Sequence, residues 1–356
     1  MLMPTIHHDF QPHGRLSWLW GRAAKLTWAL FVILVPVSAV AQTLPQGGAQ
    51  YISTTGQPSA TGKPSAGERA SVGNRLWVIS TREAPNSAPP PVGVDALRYW
   101  RFDPHVGWLD SSLYEFIASS GRSQPTVVWV HGNRISVDDV MPQAIAWLKQ
   151  LDRYAIPSHP FRLVAWSWPS GRIPGLLTDV RIKAARSDCQ SFYLAGVIDS
   201  LPAETPLSLV GFSYGARLVA SSLHLLGGGS IDGAALATSR RSHRSPRRAV
   251  LMAAAFDNDW LLPGHHYQRS LDAVDQMLIF SNPRDPVLRF YPWLDLNATN
   301  PEALGITGLA TDHLGPQREK LYQVNVSRIL GATHNLQHYV NSPQIISRVA
   351  PYALFE

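Results

Sequence analysis

The sequence has one cysteine, Cys189, in 356 residues, so no intrachain disulfide can form. A chain without that covalent help must rest on its core, and one this long, with 45% hydrophobic residues, can bury a large one. Cys189 falls within a helical pattern and reads as a small buried hydrophobe rather than a catalytic thiol. Charged residues are sparse, at 16%. No Gly-rich phosphate loop and no His-Glu-x-x-His motif occurs, which removes the nucleotide and zinc-protease readings. His334 and His338 have the i, i+4 spacing of a zinc pair but lack the accompanying glutamate, so neither a metal nor a cofactor is expected.

A long hydrophobic run is also missing. The apolar stretch from Leu26 to Val35 ends at Pro36, short of the roughly 20 residues a membrane span needs. Arg15, Arg22 and Lys25 precede it, and Ala39-Val40-Ala41 follows as a small-x-small cleavage site. Residues 1–41 therefore read as an export signal cleaved after Ala41, placing the chain in the periplasm or medium, or at the membrane if uncleaved. Residues 42–74, rich in Gly, Ser, Thr, Pro and Gln, read as a flexible linker to one folded domain over residues 75–356. The net charge of +6 is local: Arg240, Arg241, Arg244, Arg247 and Arg248 cluster in one Ser/His/Pro-punctuated stretch. That stretch is expected to be a solvated loop with at most weak contact to anionic surfaces, and no nucleic-acid partner is expected. The sequence leaves the oligomeric state open.

Beyond residue 75 the chain alternates between strand and helix patterns. Leu76–Ser80, Arg98–Phe102, Thr126–Val130, Arg162–Trp166, Pro206–Val210, Ala249–Ala255, Gln276–Phe280 and Lys320–Ile329 read as strands. Ala144, Trp147, Leu148 and Leu151, then Leu194, Val197, Ile198 and Leu201, repeat at helical spacing, and a closing helix starts at Ser342. Near-continuous apolar strands separated by helices imply an α/β fold with a mostly parallel sheet covered on both faces.

One stretch organises the chemistry. Pro206 to Val219 reads as a buried strand, then Gly211-Phe212-Ser213-Tyr214-Gly215, then an amphipathic helix. Gly-x-Ser-x-Gly alone recurs by chance in roughly one chain in ten of this length. Between a strand and a helix it becomes a nucleophile elbow, with the serine on a strained turn and glycines where a side chain would collide. A serine hydroxyl needs a base, and the base needs an acid to hold its tautomer. Past the strand ends that follow, Asp285 is the preferred acid, with Asp257 and Asp259 as alternatives. His334 is the preferred base, with His338 as alternative; His265 and His266 precede Asp285 and break the Ser, acid, His order. Backbone N–H groups of Tyr214 and of Asn133, in His131-Gly132-Asn133 after the third strand, are the expected oxyanion donors.

Together His131-Gly132-Asn133, the elbow, Asp285 and His334 resemble the α/β-hydrolase superfamily, over roughly residues 74–356. Trp166-Ser167-Trp168-Pro169-Ser170-Gly171 followed by Asp179 is similar to a largely uncharacterised exported bacterial branch that pairs an HG-N turn with a WPS segment. The resemblance implies an eight-stranded sheet and a Ser-Asp-His site, without naming a substrate. A serine esterase acting on a small-molecule or lipid ester is the first expectation. A catalytically silent binding protein of the cell envelope is the second. Trp166–Pro169 is a candidate pocket lining, and Phe290, Tyr291, Trp293 and Gly305–Gly308 are candidate cap residues.

Overall fold

A computed structural model describes residues 75–121, 123–236, 246–294 and 302–356. The export signal, the linker, and Arg240, Arg241 and Arg244 lie outside the described residues. The strands are β1 (Leu76–Ser80), β2 (Arg98–Asp103), β3 (Gly107–Ser111), β4 (Thr126–Val130), β5 (Arg162–Ser167), β6 (Leu207–Phe212), β7 (Arg247–Met252), β8 (Gln276–Ser281) and β9 (Leu321–Asn325). The helices are α1 (Leu113–Ala118), α2 (Val137–Leu151), α3 (Leu176–Asp199), α4 (Tyr214–Leu226), α5 (Tyr291–Leu294), α6 (Leu304–Thr307), α7 (Ser327–Leu330), α8 (Leu336–Val340) and α9 (Pro343–Leu354). No helix among the described residues is long and apolar enough to cross a membrane.

The strands form one sheet in the order β3-β2-β1-β5-β4-β6-β7-β8-β9. From β1 to β9 every neighbouring pair is parallel; β2 and β3 add an antiparallel hairpin at one edge. The sheet thus has nine strands rather than eight. The extra strand, Gly-Trp-Leu-Asp-Ser, lies on the edge and is mostly half-buried, so it lacks the apolar run that marks the central strands. Two further expectations shift. Lys320–Ile329 divides into β9 and the short helix α7, and the run Ala249–Ala255 leaves the sheet after Met252, where Ala253 takes φ +46°.

Arg247 and Arg248 belong to β7, not to a solvated loop. Arg247 is buried, its guanidinium bonded to the Ala273 carbonyl at 3.1 Å. Arg248 lies over the Phe355 ring, 4.6 Å from its centroid. Both therefore make contacts within the fold.

Crossover handedness sets the layers. From β4 the chain steps one way along the sheet to β5, then crosses back over β4 to β6 and continues through β7 and β8 to β9. Right-handed crossovers in opposite directions put their helices on opposite faces. Accordingly α2, α8 and α9 pack together, while α3 and α4 pack together. The apolar stripe of α2, Ala144, Trp147, Leu148 and Leu151, is fully buried. Every residue of α4 is buried. The reversal of direction falls between β4 and β6. The position outside the carboxyl ends of these strands is the usual ligand site in an open α/β sheet.

Candidate active site

The two strands at that reversal end in the two motifs singled out from the sequence. Val130 of β4 pairs with Gly211 of β6, so His131-Gly132-Asn133 and Ser213 emerge side by side. Ser213 has φ +55° and ψ −121°, a conformation that costs a non-glycine residue about 1–3 kcal/mol and persists only where its surroundings enforce it. Here its N–H donates to the Met252 carbonyl at 2.9 Å, and its own carbonyl accepts from Ala216 at 3.0 Å to start α4. The flanking glycines are steric necessities. A Cβ on Gly215 would stand 2.2 Å from the Val130 oxygen, and one on Gly211 would stand 2.6 Å from the Ala216 Cα. A Cβ on Gly132 would press on Phe212 and on the Ser213 Cβ at 3.1–3.3 Å, so the turn after β4 closes directly against the elbow.

The structure brings Ser213, His334 and Asp285 together. Ser213 Oγ lies 3.1 Å from His334 Nε2, and His334 Nδ1 lies 2.6 Å from Asp285 Oδ2. Asp285 is fully buried, and its other oxygen accepts from the N–H groups of Val287 (2.9 Å) and Leu288 (3.0 Å). With that oxygen occupied, the carboxylate presents Oδ2 to the imidazole. This arrangement selects the tautomer with hydrogen on Nδ1 and leaves Nε2 to accept from Ser213. The His334 loop is tied to the Asp285 loop by Asn282, whose Nδ2 donates to the Gly331 carbonyl at 3.0 Å. The Phe212 ring packs 5.2 Å from the imidazole.

The alternatives lie elsewhere. His338 is exposed on α8. Asp257 is buried and accepts from the Tyr291 hydroxyl at 2.7 Å, and Asp259 pairs with His265 at 3.2 Å. Neither carboxylate accepts from His334. Tyr214 is the first residue of α4, where the N–H groups of the first turn have no carbonyl four residues back in the helix, and its hydroxyl donates to the Val180 carbonyl. The Asn133 N–H has no acceptor among the described residues.

Two expected pocket features turn out to be structural. Trp166 and Trp168 are fully buried. Trp168 donates its indole N–H to the His131 carbonyl at 2.8 Å and stacks on the His131 ring at 5.8 Å. His131 is itself buried, and burial, with Arg82 nearby, pushes its pKa down to about 3 against the Gly132 carbonyl bond. It is therefore neutral and serves as a brace. Of the candidate cap residues, Gly305 is held against the sheet and Tyr291 is buried. Gly305 wedges against the Ala253–Ala254 backbone, where a Cβ would stand 2.6 Å from it, and exchanges hydrogen bonds with Ala254 and Asn282.

The sequence reading missed a cluster around Asp179. This fully buried carboxylate accepts four hydrogen bonds: from Ile173 N–H (3.1 Å) and Lys183 Nζ (2.9 Å) on one oxygen, and from Arg134 Nε (3.0 Å) and Asn133 Nδ2 (3.2 Å) on the other. Burial alone would raise its pKa, but the bonds from Lys183, Arg134 and Ile173 outweigh burial and hold it below the ordinary carboxylate value. The one sequence signal was the i, i+4 spacing of Asp179 and Lys183 on a helix. No group of three or more His, Cys, Asp or Glu residues capable of holding a metal occurs among the described residues.

No family model matches this sequence, and no curated protein matches it either. Among solved structures, the chain is similar to a lipase-esterase related protein from Clostridium acetobutylicum ATCC 824, at 9% identity over 65% of this chain and 96% of that one, with a TM-score of 0.33. It is also similar to esterase B from Lactobacillus rhamnosis, a structure described with a C4-C4 SN3 tributyrin phosphonate, at 12% identity over 80% and 89% of the two chains, with a TM-score of 0.29.

Proposed function

We propose that this chain is a serine hydrolase of the α/β-hydrolase type that cleaves carboxylic esters, exported by its N-terminal signal. The observation that carries the proposal is the unbroken hydrogen-bond line from Ser213 Oγ through the His334 ring to Asp285, at 3.1 and 2.6 Å. In this reading Ser213 Oγ attacks the ester carbonyl while His334 Nε2 takes its proton. Asp285 stabilises the imidazolium without itself taking the proton. The negative charge on the substrate oxygen is received by the backbone N–H groups of Asn133 and Tyr214, a pair of donors typically worth about 3 kcal/mol each. The C–O bond then breaks, and the leaving alcohol collects the proton from His334. Water repeats the sequence on the acyl-enzyme, releasing the carboxylic acid and freeing Ser213. The chemistry needs no cofactor.

A catalytically silent relative would have no chemical reason to hold a serine at φ +55° against a histidine whose tautomer is fixed by a buried carboxylate. The test is hydrolysis of p-nitrophenyl acetate and butyrate by the purified chain beside Ser213→Ala. Turnover lost in the variant supports the reading; a folded variant with undiminished turnover overturns it.

A further inference from the structure

We propose that Asp179 is a positioning residue that holds the Asn133–Arg134 turn as an oxyanion-binding loop, an inference that rests on the serine-hydrolase reading above. Asp179 stands at the start of α3, and its bonds tie together two separate stretches of chain. Asn133 and Arg134 belong to the turn after β4; Ile173 belongs to the loop after β5. The same two loops are joined by Arg134 N–H to the Ser170 carbonyl at 2.8 Å, and Lys183 Nζ reaches the Gly171 carbonyl.

Three features separate this cluster from an ordinary buried ion pair. First, it fixes one of the two backbone units that the proposed chemistry requires. The Asn133 side chain is occupied on both ends: Nδ2 donates to Asp179, and Oδ1 accepts from Arg134 N–H at 2.8 Å. Its backbone N–H is the group left over, without an acceptor among the described residues and one residue from Gly132, which closes on the Ser213 Cβ. Second, Arg134 sits at φ +59°, a strained conformation for a long side chain that must be held by its surroundings. Its Nε bond to Asp179 does so. Third, Lys183 is fully buried with its ammonium. Burying a cation beside a carboxylate brings little net stability over an apolar pair of the same size, so this placement is better accounted for by what it orients. A loop fixed before substrate arrives spends no free energy on reorganisation as negative charge develops, which is how an oxyanion site accelerates reaction.

All four partners of Asp179 are donors, so an amide cannot replace the carboxylate. Asp179→Asn sets its own NH2 against two N–H groups and lets the turn relax while preserving size. The experiment measures p-nitrophenyl butyrate kinetics for the wild type, Asp179→Asn, Asn133→Ala and the double variant. Each rate is normalised to the fraction of Ser213 that a fluorophosphonate labels. Expected is a kcat loss of about 10²-fold in Asp179→Asn with KM within about threefold, since the interaction matters only in the transition state. A trifluoromethyl ketone, which binds as a tetrahedral adduct, should lose affinity by a similar factor, while butyrate inhibition stays unchanged.

Asn133→Ala, which cuts the tether and keeps the backbone N–H, should lose kcat in the same way, and the double variant should be little worse than either single one. A merely structural role would lower the labelled fraction and leave kcat per labelled site intact. That outcome in Asp179→Asn overturns the proposal, as does a fully additive double variant. If Asp179→Asn does not fold, unchanged kcat in Asn133→Ala overturns it alone. Wild-type protein without Ser213-dependent turnover removes the underlying reading and the inference together, whereas normal kcat in the variants of an active wild type removes only the inference.

Discussion

Two buried carboxylates flank the elbow, and they are built differently. Asp285 accepts two backbone N–H groups on one oxygen and an imidazole on the other. Asp179 accepts from a lysine, an arginine, an asparagine and one backbone N–H. The proposed mechanism asks the partner of Asp285 to gain and lose a proton. That mechanism asks no proton exchange of the four partners of Asp179. On that reading one carboxylate sits in a proton-transfer line, and the other in a static clamp. The same side chain serves both ends because donors around it, rather than its own chemistry, decide its role.

The contrast is open to direct attack. The largest effect belongs to Asp285→Asn, which presents an amide to Nδ1 and selects the wrong imidazole tautomer. Expected is a loss of about 10⁴-fold in kcat for ester hydrolysis, against about 10²-fold for Asp179→Asn. Equal losses at the two positions would erase the distinction.

Stability should rank them in the opposite direction. Lys183→Met removes one fully buried cation from Asp179 and is expected to cost about 3–5 kcal/mol in urea unfolding, the usual penalty for halving a buried pair. His334→Ala leaves Asp285 its two backbone donors and is expected to cost about 1–2 kcal/mol. A more costly His334→Ala would mean that the site histidine is also a structural brace.

A pH-dependent effect concerns His131, which braces the turn between the two corners. The folded chain keeps it neutral down to about pH 3, whereas an unfolded histidine takes up a proton near pH 6.5. Between those values the unfolded state binds more protons, so this contribution is complete above about pH 6.5 and is lost as the pH falls. Its slope approaches about 1.4 kcal/mol per pH unit within the window. The difference in unfolding free energy between the wild type and His131→Gln, followed from pH 7 to pH 4, should shrink accordingly; a constant difference would contradict a neutral buried imidazole. Smallest of all is His338→Ala, expected to leave kcat and KM within about twofold because the residue is exposed on α8. A large loss there would return the base assignment to the second histidine.

The comparison also marks what the sequence carries. Asp285 and His334 were legible because chain order after a nucleophile elbow restricts where partners can stand, and the loops that follow apolar strands are easy to find. Asp179 stands out in the sequence only through the resemblance that carries it. Its partners Asn133 and Arg134 stand 46 and 45 residues away, and no periodicity links a helix start to a turn so distant in the chain. Edge strand β3 escaped for a different reason: half-exposed, it needs no apolar run. Trp168 looked like a pocket wall because aromatic residues at strand ends often are. Only its hydrogen bond to the His131 carbonyl, and its complete burial, show that it supports the turn from behind.

The central claim is that Ser213 is an activated nucleophile, and intact-mass analysis after fluorophosphonate labelling tests it most directly. The wild-type chain should gain one adduct, and Ser213→Ala and His334→Ala should gain none over the same interval. Equal labelling of the wild type and Ser213→Ala, or no labelling of a folded wild-type chain, would contradict it.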